Sequence, residues 1–265
     1  MGWVLCSSLS FDQIHLGTFE ASLARRLASA GFPVLRFHGQ GYGDSELGEE
    51  HISLGSHVEG AIDAARSLVR SEVASEIGLV GTRFGGTVAA LAAERLNAKA
   101  TALIQPVTRG KPYVESLLRR SLISGLDDRG PEGRRADRAS DMVDVLDVED
   151  LGLRPEVVEE ISALDLVEEI HGLSGPSLVL HLSRRATVPP EVAELVARLG
   201  SASEESRCEV LVHPDALRFG LPRYGRAGGE RKVDLQGDLV DRVIDRTVAW
   251  CSRAGKGHVD AGRVS

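Results

Sequence analysis

The stretch Gly81-Thr82-Arg83-Phe84-Gly85 has the spacing of a G-x-S-x-G turn, with arginine in the place of the serine. The apolar run Ile77–Val80 precedes it and predicts a buried strand, and a helical pattern of apolar residues follows it. In this motif a sharp turn between strand and helix exposes the central serine as a nucleophile. An arginine guanidinium stays protonated and has no lone pair with which to attack a carbonyl. The sequence therefore predicts the turn without its reacting atom.

Short apolar runs alternate with longer helical patterns along the whole chain, which is typical of a parallel sheet with crossover helices. We therefore expect an α/β fold with a mostly parallel sheet of about six strands flanked by helices. The last helix is expected to end near Trp250. The predicted strands are Trp3–Cys6, Val34–Phe37, Ile77–Val80, Ala102–Ile104, Ser177–Leu182 and Glu209–Val212.

A long insertion separates the fourth and fifth predicted strands, because about seventy residues lie between them and a simple crossover needs far fewer. We expect residues 1–105 and 174–255 to form the core, and 106–173 to form a helical cap. The cap would lie over the carboxyl ends of the strands, where open α/β sheets bind ligands. Charged and glycine-containing sequence predicts a mobile segment near 126–141 and a disordered tail at 256–265.

Composition excludes several classes of function. The chain of 265 residues has a formal net charge of −8, with 42% hydrophobic and 26% charged residues, and no basic stripe points to nucleic acid. No apolar run approaches the roughly 20 residues that a membrane span needs, and the N-terminus lacks the features of a secretion signal. The three cysteines and eight histidines form no metal-binding spacing. We therefore expect reduced thiols, a cytoplasmic location, and neither metal nor cofactor.

The order of these features resembles the α/β-hydrolase superfamily over roughly residues 3–220 and the last helix. The turn at Gly81–Gly85 is similar to the family's nucleophile elbow, and Gly41-Tyr42-Gly43-Asp44-Ser45 is similar to its R-G-x-G-x-S turn. Leu178–Glu191 is similar to the strand, acid loop and helix start that follow the family's cap. The resemblance implies an α/β-hydrolase-like fold with a helical cap insertion.

A narrower likeness begins at the fourth predicted strand. Gln105-Pro106-Val107, Gly110 and Tyr113 resemble the exosortase-associated hydrolases, of which one type has Gly-x-Arg-x-Gly at the elbow, like this chain. Those proteins accompany bacterial surface-polysaccharide and protein-sorting gene clusters. This resemblance implies a role in bacterial envelope or exopolysaccharide metabolism.

The resemblance places the family's catalytic triad on residues that cannot perform its chemistry. The serine falls on Arg83, the acid on Arg185, and the histidine near Arg218. His213, several residues before the expected place, is the remaining candidate base. A triad acts as a unit, so the loss of its serine alone removes most of the rate. Serine-hydrolase activity is therefore predicted to be absent.

Two further features follow from the same resemblance. The oxyanion loop falls on Cys6-Ser7-Ser8-Leu9, so the backbone N–H groups of Leu9 and Phe84 are the candidate oxyanion donors. The family's two leading strands have no counterpart before Trp3. Their absence implies an open sheet edge at which a second copy or another protein could pair.

Two interpretations of the arginine at the elbow stay open at this point. In the first, Arg83, Arg185 and Arg218 converge at a helix N-terminus and bind a small anionic ligand. An acidic sugar, a phosphate or a protein C-terminus would fit, with Ser7, Ser8, Leu9 and Phe84 beside it. In the second, Arg83 pairs with a nearby carboxylate and fills a site without activity. The candidate carboxylates are Asp44, Glu46 and Glu115.

The sequence favours a non-catalytic protein that binds an anionic ligand, an acyl or sugar compound, or a partner. The alternative is an active esterase, thioesterase or acyltransferase with a displaced nucleophile. Cys6, Ser7 or a water molecule activated by His213 could then provide the attacking atom. Buried strand cysteines are commonly inert, which weighs against Cys6.

Overall fold

The computed structural model describes residues 1–41, 45, 48, 51–128, 153–200, 206–219, 223–227, 230–234 and 237–256. Six of its strands are β1 (Gly2–Cys6), β2 (Val34–Arg36), β3 (Ile77–Thr82), β4 (Ala100–Ile104), β5 (Ser177–Ser183) and β6 (Arg207–Val212). They form one all-parallel sheet in the order β2-β1-β3-β4-β5-β6. The predicted fold class is therefore confirmed. Among the described strands, none pairs with the outer side of β2, so β2 is an edge of the sheet.

Helices cover both faces of the sheet. They are α1 (Ser10–Ser29), α2 (Leu54–Arg70), α3 (Phe84–Leu96), α4 (Gly110–Asp128), α5 (Pro155–Ala163), α6 (Leu166–Glu169), α7 (Pro190–Gly200) and α8 (Gly237–Lys256). One hydrophobic core joins α1 and α8 to the sheet, and the other joins α2 and α3 to its opposite face. In β3, Leu79 packs into the second core and Val80 into the first. Burial on both faces explains why the strands are continuous apolar runs.

The segment 106–173 supplies α4, α5 and α6. Its two ends are joined where the N–H of Gly110 donates to the carbonyl of Leu164 and the N–H of Leu166 donates to the carbonyl of Thr108. Arg109 and Asp165 form an ion pair at the same place. Most of the charged segment predicted near 126–141, and the tail after Lys256, lie outside the described residues.

The structure adds two features that the sequence patterns did not indicate. Residues Arg223–Ala227 (β7) and Glu230–Asp234 (β8) pair as an antiparallel hairpin between β6 and α8. The last helix continues to Lys256, beyond the end predicted near Trp250, because Cys251 and Gly255 are still buried. Within the described part of the chain, no helix combines the length and the apolar character that a membrane crossing requires.

Candidate functional site

The turn at Gly81–Gly85 joins β3 to α3. Its central residue, Arg83, precedes the first turn of α3 with φ of 55° and ψ of −122°, a backbone conformation that is costly for a residue with a side chain. A Cβ on Gly81 would clash with the carbonyl of Gly85, and a Cβ on Gly85 would clash with the carbonyl of Cys6. The two glycines therefore allow β1, β3 and α3 to approach one another, and only the central side chain departs from the motif.

Arg83 pairs with Asp12, a carboxylate that the sequence analysis did not identify. The Nε–H of Arg83 donates to Oδ2 of Asp12 over 3.1 Å, and the two side chains are 16% and 3% exposed. Asp12 lies in the first turn of α1, which begins just after β1. Because β1 lies beside β3 in the sheet, this turn is brought next to the elbow. The buried carboxylate is thus compensated by an adjacent cation.

The predicted partners of Arg83 must be corrected accordingly. Glu115 instead lies 3.5 Å from Arg119 on the exposed side of α4. Asp44 and Glu46 lie outside the described residues. The sequence signal for such a pair is an acidic residue in the first turn of the helix that follows a neighbouring strand. It can be recognised only when the strand order is known.

An aromatic side chain of the inserted segment covers the elbow. The ring of Tyr113 in α4 lies with its centroid 5.5 Å from the guanidinium carbon of Arg83, which is a cation–π geometry. The same ring stacks on Phe84 at 6.3 Å with an interplanar angle of 11°. Among the described residues, neither Nη group of Arg83 makes a hydrogen bond. Tyr113 and Asp12 therefore fix the position of the guanidinium.

The other two arginines follow β5 and β6 in the chain. Arg185 lies on the exposed loop after β5, where its backbone N–H donates to Oγ of Ser183 over 3.1 Å. Arg218 ends the short 3₁₀ helix Ala216–Arg218, and its side chain lies outside what the structure describes. The convergence of the three arginines remains a prediction.

His213 follows β6, and both of its ring nitrogens are engaged. Nδ1 accepts a hydrogen bond from the backbone N–H of Asp215 over 3.1 Å. Nε2 lies 3.2 Å from Oδ2 of Asp238 in the first turn of α8. Since Nδ1 acts as acceptor, the proton of the neutral ring is assigned to Nε2, whose N–H donates a hydrogen bond to Asp238. This arrangement leaves no free lone pair with which His213 could activate a water molecule.

The predicted oxyanion loop is held by a buried carboxylate that the sequence analysis also missed. The backbone N–H and the Oγ of Ser8 lie 2.9 and 2.8 Å from Oε1 of Glu20 in α1. Burial raises the pKa of Glu20 to about 7, although its hydrogen bonds with Ser8 and the nearby charge of Arg36 oppose the rise. Leu9 is fully buried, and the N–H groups of Leu9 and Phe84 remain the predicted oxyanion donors. A charged residue on the apolar stripe of a helix is the sequence signal for Glu20.

Cys6 and Cys251 are buried, and burial raises the pKa of both thiols far above their usual range. The thiolate is the reactive form of cysteine, so neither side chain is a good nucleophile at neutral pH. Within the described residues, no group of three or more histidine, cysteine, aspartate or glutamate side chains is placed to hold a metal ion.

Alkylation of the native protein should therefore leave Cys6 unmodified. Iodoacetamide at pH 8 is expected to react first at the half-buried Cys208, while Cys6 and Cys251 react only after denaturation. Intact mass followed by peptide mapping measures the order of labelling. Rapid native labelling of Cys6 would contradict this assignment and would make Cys6 the leading displaced nucleophile.

Comparison with known proteins supports the fold alone. No protein-family model matches the sequence, and no curated protein sequence matches it. Similar solved structures include Est1E from Butyrivibrio proteoclasticus with bound ferulic acid, at 17% identity and a TM-score of 0.56 over 94% of this chain and 88% of that one.

Two further structures are similar over most of their length. An esterase from Pyrococcus furiosus has 13% identity and a TM-score of 0.61 over 92% of this chain and 80% of its own. The enol-lactonase from Burkholderia xenovorans has 18% identity and a TM-score of 0.51 over 92% of this chain and 90% of its own. At such low identity the likeness concerns architecture alone, and it agrees with the sheet order and the elbow. This chain has the α/β-hydrolase fold.

Proposed function

We propose that this chain is an α/β-hydrolase-fold protein without serine-hydrolase chemistry, which binds an anionic ligand or partner at Arg83. The observation that carries the first half of the proposal, the loss of serine-hydrolase chemistry, is the ion pair of Arg83 with Asp12 at the position of the nucleophile. A guanidinium held by a buried carboxylate and an aromatic ring cannot attack a carbonyl. The engaged nitrogens of His213 and the raised pKa of Cys6 weigh against replacements for the missing groups.

Recognition of an anion is supported by the position of the guanidinium. Arg83 stands at the N-terminus of α3, where backbone N–H groups and the helix dipole favour negative charge. Asp12 engages Nε, and the Nη edge suits a carboxylate or phosphate. The candidate ligands are a small acid, an acyl or sugar compound with an acidic group, or a protein C-terminus.

The cellular role belongs to the same proposal. The likeness of Gln105–Val107, Gly110 and Tyr113 to exosortase-associated hydrolases supports a role in bacterial envelope or exopolysaccharide metabolism, with the protein in the cytoplasm. The open edge at β2 supports pairing with a second copy or another protein. The alternative function, an active esterase or acyltransferase with a displaced nucleophile, is favoured by the preserved elbow glycines and by the esterases of similar fold.

Covalent labelling separates these two functions. We expect no fluorophosphonate adduct by intact mass and no turnover of short-chain nitrophenyl esters, because the elbow carries no nucleophile. An active serine esterase treated in parallel is the positive control. A single adduct together with turnover would overturn the proposal, and peptide mapping would then locate the displaced nucleophile.

Binding of inorganic phosphate and acetate tests the second half of the proposal. Titration calorimetry should show that the wild type binds phosphate or acetate at least about tenfold more tightly than Arg83→Lys does. The reason is that lysine keeps the charge but loses the planar fork of the guanidinium. The matched control is Arg119→Lys, which changes an exposed arginine on α4. Equal affinities for the wild type and Arg83→Lys would contradict anion recognition at the elbow.

A further inference from the structure

A cleft lies between α1 and the end of β2, and it reaches the elbow site only at Ser7 of the predicted oxyanion loop. Its volume is about 460 Å³, within the range of small-molecule sites. Neither Arg83 nor Asp12 lines it. Its polar and charged lining residues include Ser7, Gln13, Glu20, Arg25, Arg36 and His38.

Two arginines make the rim of this cleft cationic, although the whole chain has a net charge of −8. Arg25 projects from α1 and is exposed. Arg36 ends β2, and its Nη1 donates to the carbonyl of Gly17 over 3.2 Å, which holds the guanidinium against α1. A guanidinium that is already positioned loses less entropy when it binds a carboxylate.

The inner wall of the cleft is polar and buried. Glu20 is 3% exposed, and its Oε1 is held by the N–H and the hydroxyl of Ser8. The hydroxyl of Ser7 donates to the carbonyl of Phe37 over 3.5 Å, and Ser7 and Gln13 line the cleft together with Glu20. Carboxylate, hydroxyl and amide groups together can accept from and donate to the hydroxyl groups of a ligand.

We propose that this cleft binds a small hydroxylated carboxylate, with the ligand's carboxylate on Arg36 and Arg25 and its hydroxyl groups on Ser7, Gln13 and Glu20. The combination of a cationic rim with a wall of donors and acceptors carries this assignment. A plain carboxylate would leave the polar wall unused, and a neutral sugar would leave the arginines unused. The inference goes beyond the function proposed at Arg83 and does not depend on it.

The charge of Glu20 makes the affinity depend on pH. Arg36 at the end of β2 and Cys6 on β1 interact electrostatically with Glu20, and Arg25 on α1 and His38 after β2 line the same cleft. The pKa of Glu20 is raised to about 7, so Glu20 becomes ionised as the pH rises through neutrality. The ionised form competes for Arg36 and repels the ligand's carboxylate, so affinity should fall as the pH rises.

Ligand titrations followed by NMR test the assignment with three probes: glucuronate, glucose and acetate. Glucuronate carries both kinds of group, and we expect it to bind at least about tenfold more tightly than glucose or acetate. Arg36→Gln should weaken glucuronate binding by about tenfold or more, because it removes the positioned cation. Arg26→Gln is the matched control, since Arg26 is the neighbour of Arg25 on α1 but pairs with Asp245 outside the cleft.

Two further variants show which side chain causes the pH dependence of glucuronate binding. Glu20→Gln should remove most of the fall in glucuronate affinity between pH 6 and pH 8, whereas His38→Gln should keep most of it. The glucuronate-induced shifts are expected in α1 and at the end of β2, and shifts confined to the turn at Arg83–Gly85 would move the binding site to the elbow. Absent binding of glucuronate, equal binding of glucose, or an unchanged affinity in a folded Arg36→Gln variant would each overturn the inference.

Discussion

Arg83→Ala is expected to lower the free energy of unfolding by about 3 kcal/mol, because it leaves the carboxylate of Asp12 buried without its cation. With Arg83 in place Asp12 is 3% exposed, so the carboxylate has little hydration and depends strongly on the charge beside it. The first turn of α1 offers partial compensation through the helix dipole, which places the effect at the low end for a broken buried pair. The positive φ at this position adds no difference, since arginine and alanine both carry a Cβ.

Urea denaturation of a double-mutant cycle measures this effect. Asp12→Asn in the Arg83→Ala background should recover most of the lost stability, because the neutral amide no longer needs a cation. The control is Arg66→Ala, which removes an exposed pair with Asp63 at 3.4 Å and should change stability by less than about 0.5 kcal/mol. If Arg83→Ala proves as mild as the control, Asp12 does not depend on Arg83 and the elbow arginine is free to serve a ligand alone.

The general architecture could be predicted because local sequence patterns indicate its strands, its helices and the elbow between them. Buried parallel strands appear as apolar runs, and the glycines of the elbow mark the place where β1, β3 and α3 meet. The hairpin of β7 and β8 could not be predicted in the same way. Its strands, Arg223–Ala227 and Glu230–Asp234, are short and charged, and they lack the apolar runs by which the other strands were recognised.

For the site residues, the type of partner could be predicted from the sequence, but not which residue it is. A buried arginine requires a carboxylate, and the predicted candidates for Arg83 were Asp44 and Glu46 in the turn after β2 and Glu115 on the cap. The observed partner, Asp12, is 71 positions away and reaches the elbow because β1 and β3 are neighbours in the sheet. Glu20 and Ser8 meet for a related reason, since α1 folds back over the strand that precedes it. Such contacts follow from strand order, which local periodicity does not encode.

Gly85→Ala is expected to have the largest effect of all, a loss of about 4 kcal/mol or more in the free energy of unfolding. A Cβ at this position would overlap the carbonyl of Cys6 and would lie 2.6 Å from the carbonyl oxygen of Ser7. These are backbone atoms at the end of a central strand, so relief requires moving β1 or α3 rather than turning a side chain. Gly85 is thus required by the packing of the elbow, whether or not any chemistry takes place there.

The matched control is Gly17→Ala, which changes a glycine in the middle of α1. No atom lies within 4 Å of the added Cβ, so this variant should gain about 0.5–1 kcal/mol from the better helix propensity of alanine. The changes in the free energy of unfolding, measured by heat and by urea, should therefore have opposite signs in the two variants. A well-folded Gly85→Ala protein with wild-type stability would mean that α3 can move away from β1. The elbow would then be a deformable turn, and the preserved G-x-R-x-G spacing would cease to be evidence that the site keeps the geometry of an active hydrolase.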